Sequence, residues 1–293
     1  MQKLLPLLLF LVACAAVPPP KEIQTPDLVA PLSSPEFEGR GVGTKGLSKA
    51  RDLLVAELTK AGIQPGFVEK QRDGSSKESY TQGFRVFIGN ELKAGNAFAD
   101  SKNEEFMPLA FSKSGKVKNA ELVFVGFGIS VRQSGGIAYD DYAGLDVKDK
   151  IVVALLGDPG TGNKDSPFRN PAYFHYSSPM YKVQNAELHG AAGIVLVRDP
   201  LSLSGKKEPA LRFQNRQGGG ATSTILAGQA SIRLVSRLLG KDLRVLQEQF
   251  AKTQKPASFS TGKKVNLSIA MERQLGAAEN IAGLVPGRDP KLA

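Results

Sequence analysis

Three strand-length apolar stretches constrain this chain more than any other feature. They are Leu122 to Ile129, broken only by Gly126 and Gly128, then Ile151-Val152-Val153-Ala154-Leu155-Leu156, then Ile194-Val195-Leu196-Val197. Such short runs without polar alternation read as buried strands. Between the second and third, Lys182 to Leu188 reads as a helix running into His189-Gly190-Ala191-Ala192-Gly193. Strand, helix and strand in that texture predict a small α/β unit. The glycines in the first run mark places where backbone or side chains crowd.

Around this middle the pattern changes. Leu47, Ala50, Leu54, Leu58 and Ala61 fall on one face of a helix that Gly62 can close with a left-handed cap. Phe84 to Ile88 predicts a strand, Tyr139-Asp140-Asp141-Tyr142 before Gly144 a polar turn, and Gln217 to Ser223 a flexible loop. Two amphipathic helices follow, one with Ile232, Val235 and Leu238, the other with Leu243, Leu246 and Phe250, separated by Gly240. After Pro256 the period becomes two, with Val265, Leu267 and Ile269 on one side. Glu279 to Val285 is a short apolar strand, and Pro286 to Pro290 a turn.

The beginning has another texture. Met1-Gln2-Lys3 is a short basic region before an apolar run, Leu4 to Val12, too short to span a bilayer, which is the pattern of an export signal. Leu11-Val12-Ala13-Cys14 resembles a bacterial lipobox, in which the cysteine carries lipid; ordinary cleavage among Ala13, Ala15 and Ala16 is the alternative. Cys14 is the only cysteine, so the fold rests on its core without an internal disulfide. Val17-Pro18-Pro19-Pro20 is a stiff, extended tether.

At 293 residues and 41% hydrophobic content the chain is globular, with a net charge of +10. Twelve basic against three acidic residues lie between Leu201 and Lys264. Only Phe213, Phe250 and Phe259 are interleaved with them, too few stacking platforms for nucleic acid. A solvated face, with attraction to anionic headgroups as the second choice, is the expectation.

A catalytic zinc needs about three converging ligands, and the two histidines, His175 and His189, sit in no ligand-like spacing. Packed roles are expected for both. No Gly-x-Ser-x-Gly elbow is present. Gly157-Asp158-Pro159-Gly160-Thr161-Gly162-Asn163-Lys164 follows a strand but lacks the Lys-Ser/Thr ending of a phosphate loop, and Asp158 would repel phosphate. The acid pairs Asp140/Asp141 and Glu104/Glu105 are expected to be solvated. No catalytic or metal residue is assigned.

Several stretches in order resemble one family, the exported bacterial di-zinc aminopeptidases with an inserted protease-associated (PA) domain. Pro35-Glu36-Phe37-Glu38-Gly39-Arg40 with Gly43-Thr44 and the following helix is similar to the opening of the peptidase domain. Glu121 to Ile129, Tyr139 to Val147, Lys150 to Val153 and Gly157-Asp158-Pro159 resemble the first part of the inserted domain. Lys182, Ala186 and Gly190-Ala191-Ala192-Gly193-Ile194 resemble its helix-to-strand signature. Glu279 to Gly287 is similar to the strand by which such chains return to the peptidase domain.

The resemblance implies an α/β fold, a PA domain inserted into an incomplete zinc-exopeptidase domain. Its layout is a signal peptide and lipobox over 1–14, a Pro-rich tether over 15–24, and the N-terminal part of the peptidase domain over 25–115. A PA-like domain over 116–255 and returning strands over 256–293 complete it. In the family, the zinc ligands and general base come later than the strand resembling Glu279–Gly287, so the expected function is the N-terminal portion of a metallo-aminopeptidase, truncated and inactive by itself. The two zinc ions belong to the complete family enzyme. A stand-alone PA-domain lipoprotein that binds peptides or proteins is the alternative. Expected partners are a peptide or protein substrate, the membrane through a lipid on Cys14, and a missing C-terminal catalytic segment; nucleic acid is not among them. The expected location is the cell envelope, at the outer membrane or in the periplasm. The resemblance also implies structural roles: Gly39-Arg40 as a turn with an ion-pair anchor, Gly190-Ala191 as close helix-to-strand packing, and Asp140-Asp141 as a turn. The Leu47–Leu58 helix face and strands around Leu267 and Ile281 would then lack the sheet they cover.

Overall fold

The computed structural model describes residues 25–102, 104–134, 137–215 and 222–287. The signal segment with Cys14, the Pro-rich tether, most of the Gln217–Ser223 loop and residues 288–293 lie outside the described residues. In chain order, α1 (Thr25–Leu32) and a 3-10 segment (Pro35–Arg40) precede α2 (Lys45–Lys60). Short strands β1 (Gln64–Pro65), β2 (Phe67–Lys70) and β3 (Ser76–Ser79) lead to the long β4 (Thr81–Leu92). Then come β5 (Ala97–Phe98), β6 (Phe106–Pro108), β7 (Gly115–Phe124), β8 (Ser130–Ser134), β9 (Ile137–Asp140) and β10 (Ile151–Leu155). After α3 (Pro179–Leu188) the order is β11 (Gly193–Val197), β12 (Leu226–Ala230), α4 (Ile232–Leu239) and α5 (Leu243–Thr253). The last strands are β13 (Phe259–Ile269), β14 (Met271–Ile281) and β15 (Gly283–Leu284).

These elements form two compact units. The described residues up to Val86 and those from Gly276 onward make one, and Phe87–Leu275 makes the other. In the first, Thr44 Oγ1 caps α2 by accepting the Leu47 amide at 3.2 Å, and Gly62 ends it at a φ of +71° that β-carbon-bearing residues disfavour. Gly46 is required on α2, because a Cβ there would stand 1.9 Å from the Phe37 carbonyl oxygen of the 3-10 segment. β1 pairs antiparallel with β15, and β2 with β3. Ala50 is buried, whereas Leu47, Leu54 and Leu58 are half-buried, so much of the α2 apolar face stays open.

The second unit is a mixed α/β layer structure built on a seven-stranded sheet ordered β5-β13-β7-β10-β11-β12-β6. β7, β10, β11 and β12 run parallel, while β13 and β6 flank them antiparallel. The parallel strands send alternate residues to opposite faces, as a pleated strand must. Leu122, Phe124, Ile151, Val153, Leu155, Val195 and Val197 enter one core with Leu234, Leu246 and Phe250 of α4 and α5. Val123, Val125, Val152, Ala154, Ile194 and Leu196 enter the other with Val183 and Ala186 of α3. Helices on both faces explain the unalternated apolar runs.

Two expectations are corrected here. The first apolar strand stops at Phe124 and does not continue to Ile129, since Gly126 and Gly128 adopt φ of +49° and +67° and turn the chain. Leu267 does not sit on an uncovered edge. β13 lies between β5 and β7, and Leu267 is fully buried against Gly193, where a Cβ would come within 2.7 Å of its Cδ2.

Candidate functional site

Four parallel strands in one sheet end on the same side, and the carboxyl ends of such strands are where open α/β sheets place ligands. The segments leaving them gather buried charge. Asp141, after β9, accepts the Phe127 and Ile129 amides on Oδ2 at 3.0 and 3.1 Å, and the Tyr139 hydroxyl on Oδ1 at 2.9 Å. Gly126 leaves room for this carboxylate, since a Cβ there would lie 2.3 Å from Oδ1. From α3, Lys182 Nζ donates to the Phe127 carbonyl and Asn185 Nδ2 to the Gly128 carbonyl. The helix thereby pins the glycine turn that holds Asp141.

Burial pushes the Asp141 carboxyl up to about 7, against its hydrogen bonds and the charge of Lys182. Burial likewise draws the Lys182 ammonium down to about 7, opposed by Asp141, Asp158 and Asp199. Asp158, half-buried after β10, is also raised by burial, and its Oδ1 accepts the Gly160 amide at 2.8 Å. Asp199, after β11, accepts the Ser202 amide at 3.0 Å on Oδ1, while its buried Oδ2 has no hydrogen-bond partner among the described residues. Lys182 is 0% exposed and Asp141 1%, so a ligand arriving from solvent touches neither. The cluster clasps loop to helix.

This revises the expectation that both acid pairs are solvated. Asp141 is enclosed, and Glu105, 5% exposed, accepts Arg233 Nη2 at 2.8 Å and the Lys102 amide at 3.1 Å. Asp140 and Asp141 do lie at a turn, where Asp140 Oδ1 accepts the Tyr142 amide and the Ser130 hydroxyl. The Gly157–Lys164 loop spends its polar groups on itself and on α5, through Asp158 to Gly160 and Asn163 Nδ2 to the Ala251 carbonyl. Arg40 anchors the end of α1 by donating to the Leu32 carbonyl rather than to a carboxylate. At Gly190, φ is +80° and a Cβ would meet Lys148 at 3.5 Å; Ala191 beside it is buried.

Both histidines are occupied locally. His189 ends α3, stacked on Tyr142 at 4.1 Å between ring centroids, with Nδ1 at 2.8 Å from the Asn185 carbonyl. His175 is exposed in a 3-10 segment (Pro171–Ser177), against Tyr176 at 3.9 Å, with Nδ1 at 3.1 Å from the Ala172 carbonyl. Among the described residues no three His, Cys, Asp or Glu side chains stand close enough to share a metal ion. The described donor set therefore does not fit the two zinc ions of the resembled family, and no chemical step is routed through them.

An open site of ligand size lies in the second unit. A cavity of about 1000 Å³ borders the ends of β10, β11 and β12, the start of α3 and the edge strand β6. Its floor includes Leu156, Leu196 and Gln229, and its walls include Met107 to Ser114, Met180 and Met271. The β6–β7 connection is tied in place from two sides: Asn90 Nδ2 donates to the Ala110 carbonyl at 2.5 Å, and Ser114 Oγ to the Met271 carbonyl at 2.9 Å. Pro108, lacking an amide hydrogen, blunts β6 as a template for strand addition. Nothing in the sequence marked this cavity, because its lining comes from nine separate stretches of chain.

No protein-family model and no curated protein matches the chain. Among solved structures it is similar to an aminopeptidase from Aneurinibacillus sp. strain AM-1, at 19% identity and a TM-score of 0.42, over 90% of this chain and 48% of that one. It is also similar to BSAP, a zinc aminopeptidase from Bacillus subtilis, at 15% identity and a TM-score of 0.37, over 90% of this chain and 47% of that one. The chain spans about half the length of the structures it matches. Among the described residues no helix is long and apolar enough to cross a membrane.

Proposed function

We propose that the chain is an amino-terminal portion of an exported aminopeptidase of the di-zinc type, anchored in the cell envelope through a lipid on Cys14, and that its Phe87–Leu275 unit is a PA-like module that binds peptide or protein. Its own contribution is binding, with hydrolysis left to residues beyond those described. The observation that carries this reading is the cavity at the carboxyl ends of the parallel strands. Its volume of about 1000 Å³ suits a peptide segment, and its lining mixes apolar side chains with a few polar groups. Further support comes from chain order. The stretches resembling the peptidase domain, Pro35–Thr44 and Glu279–Gly287, lie in one unit drawn from both sides of the other, and those resembling the PA domain lie in the continuous unit.

The test is equilibrium anisotropy of fluorescein-labelled heptapeptides of mixed composition with the full chain and with Met180→Trp, which fills the cavity. Saturable binding that weakens about tenfold or more in the variant is expected. Absence of saturable binding by any peptide, or binding indifferent to Met180→Trp, removes the cavity as the binding site.

A further inference from the structure

The cavity's charge is one-sided. Lys113, Arg198, Arg212 and Arg273 line it, and among the described residues no aspartate or glutamate does. Nothing in the described fold neutralises these cations by contact. Lys113 and Arg212 are exposed and form no side-chain hydrogen bond or ion pair among the described residues. Arg273 lies over the Phe87 ring, 4.9 Å from its centroid, an arrangement that leaves the edge of a guanidinium free for an anion. Arg198 holds a buried Nε with no acceptor among the described residues. The carboxyl whose protonation Arg198 influences is Glu208, and that group is engaged with the Ile232 amide at 3.0 Å at the head of α4.

Between these cations the walls are apolar: Phe87, Met107, Leu109, Phe111, Met180 and Met271. Methionine is prominent among them, and its flexible thioether moulds to varied side chains. The start of α3, at Ser178 and Pro179, adds the positive end of a ten-residue helix to the same wall.

We infer that this cavity takes an acidic, apolar peptide segment, with carboxylates meeting Lys113, Arg198, Arg212 and Arg273 and apolar side chains between them on the methionine and phenylalanine walls. The inference rests on the reading of this unit as a peptide-binding module and names its ligand class. Charge complementarity favours an acidic partner over a basic one, which would meet four like charges, of which only Arg198 interacts electrostatically with a carboxyl of the described fold, Glu208. The apolar walls favour a peptide over a small inorganic anion, which would leave them wet.

Three labelled heptapeptides test it against the full chain: Leu-Glu-Phe-Glu-Leu-Glu-Phe, the same sequence with every Glu replaced by Gln, and the same with every Glu replaced by Lys. The acidic peptide is expected to bind about tenfold tighter than the Gln peptide, with the Lys peptide weakest. Raising salt from roughly 0.05 to 0.5 M is expected to erase most of that advantage. Arg212→Gln and Lys113→Gln, which remove no bond within the described fold, are each expected to weaken the acidic peptide about three- to tenfold and leave the Gln peptide unchanged. Equal affinity for the acidic and Gln peptides overturns the ligand class while leaving the binding module standing. Failure of all three peptides sinks the module reading itself. Binding to phosphatidylglycerol vesicles that the same substitutions abolish, without peptide binding, overturns the inference in favour of a lipid surface.

Discussion

Asp141→Ala removes one carboxylate and leaves three donors facing a dry space: the Phe127 and Ile129 amides and the Tyr139 hydroxyl. At about 1–2 kcal/mol for each orphaned buried donor, the second unit loses roughly 3–6 kcal/mol. Lys182 also loses the acid that most opposes its deprotonation. Asp141→Asn is gentler, because the amide oxygen still accepts from the two backbone amides while its NH2 faces the Tyr139 hydroxyl; roughly 1–3 kcal/mol is expected. The pH dependence separates charge from shape. The folded Asp141 titrates near 7 against an ordinary value of 3.8, so between those limits the folded state binds more protons than the unfolded state. Stability from this group is therefore fully present below 3.8 and lost as pH rises through about 7. At 1.36 kcal/mol per unit the loss is about 4 kcal/mol across the window. Lys182 stays protonated in both states of the wild type over most of that range, and in the Asn variant its lower pKa makes stability rise with pH, which adds to the contrast. Urea unfolding followed by tyrosine fluorescence is the assay. The chain has no tryptophan, and five of its six tyrosines (Tyr139, Tyr142, Tyr173, Tyr176 and Tyr181) lie in this unit. A loss under about 1 kcal/mol for Asp141→Ala at pH 4, where the wild-type carboxyl carries no deprotonation penalty, or a wild-type advantage over Asp141→Asn that is flat or rises from pH 4 to 7, refutes the reasoning.

Leu267→Ala empties a fully buried site between β5 and β7 and is expected to cost about 2–5 kcal/mol in the same urea titration. Gly228→Ala places a Cβ 2.2 Å from Phe106 Cε2, so β6 must shift; faster amide exchange at Leu109, which bonds the Ala227 carbonyl, reports it. Gly46→Ala drives a Cβ into the Phe37 carbonyl and is expected to expose the Pro35–Arg40 segment to protease, read as a new cleavage fragment in mass spectrometry.

The buried strands of the α/β unit were legible because both of their faces are covered, which writes continuous apolar runs such as Ile151–Leu155 into the sequence; that they pair parallel was not. The Gly62 cap and the α3 exit at His189-Gly190 were legible for an equally local reason: a left-handed turn calls for glycine. Burial of Asp141 was not legible, since it depends on Gly126 and Gly128 folding a distant turn around the carboxylate and on Lys182 reaching in from α3. Period-two apolarity in Val265, Leu267 and Ile269 announced a strand but could not say which sheet would receive it. The basic excess between Leu201 and Lys264 was read as a solvated face, yet Arg233 and Arg237 find their acids, Glu105 and Asp100, far outside that stretch. The cations of the cavity come from a loop (Lys113), a strand end (Arg198), a second loop (Arg212) and β14 (Arg273), and no local spacing could announce their convergence.

The most direct test of binding without hydrolysis is to incubate the zinc-supplemented full chain with labelled Leu-Glu-Phe-Glu-Leu-Glu-Phe, follow anisotropy, and then weigh the peptide by mass spectrometry. The account predicts a saturable anisotropy rise with the peptide recovered intact. Shortened peptides appearing in proportion to enzyme and zinc would contradict it.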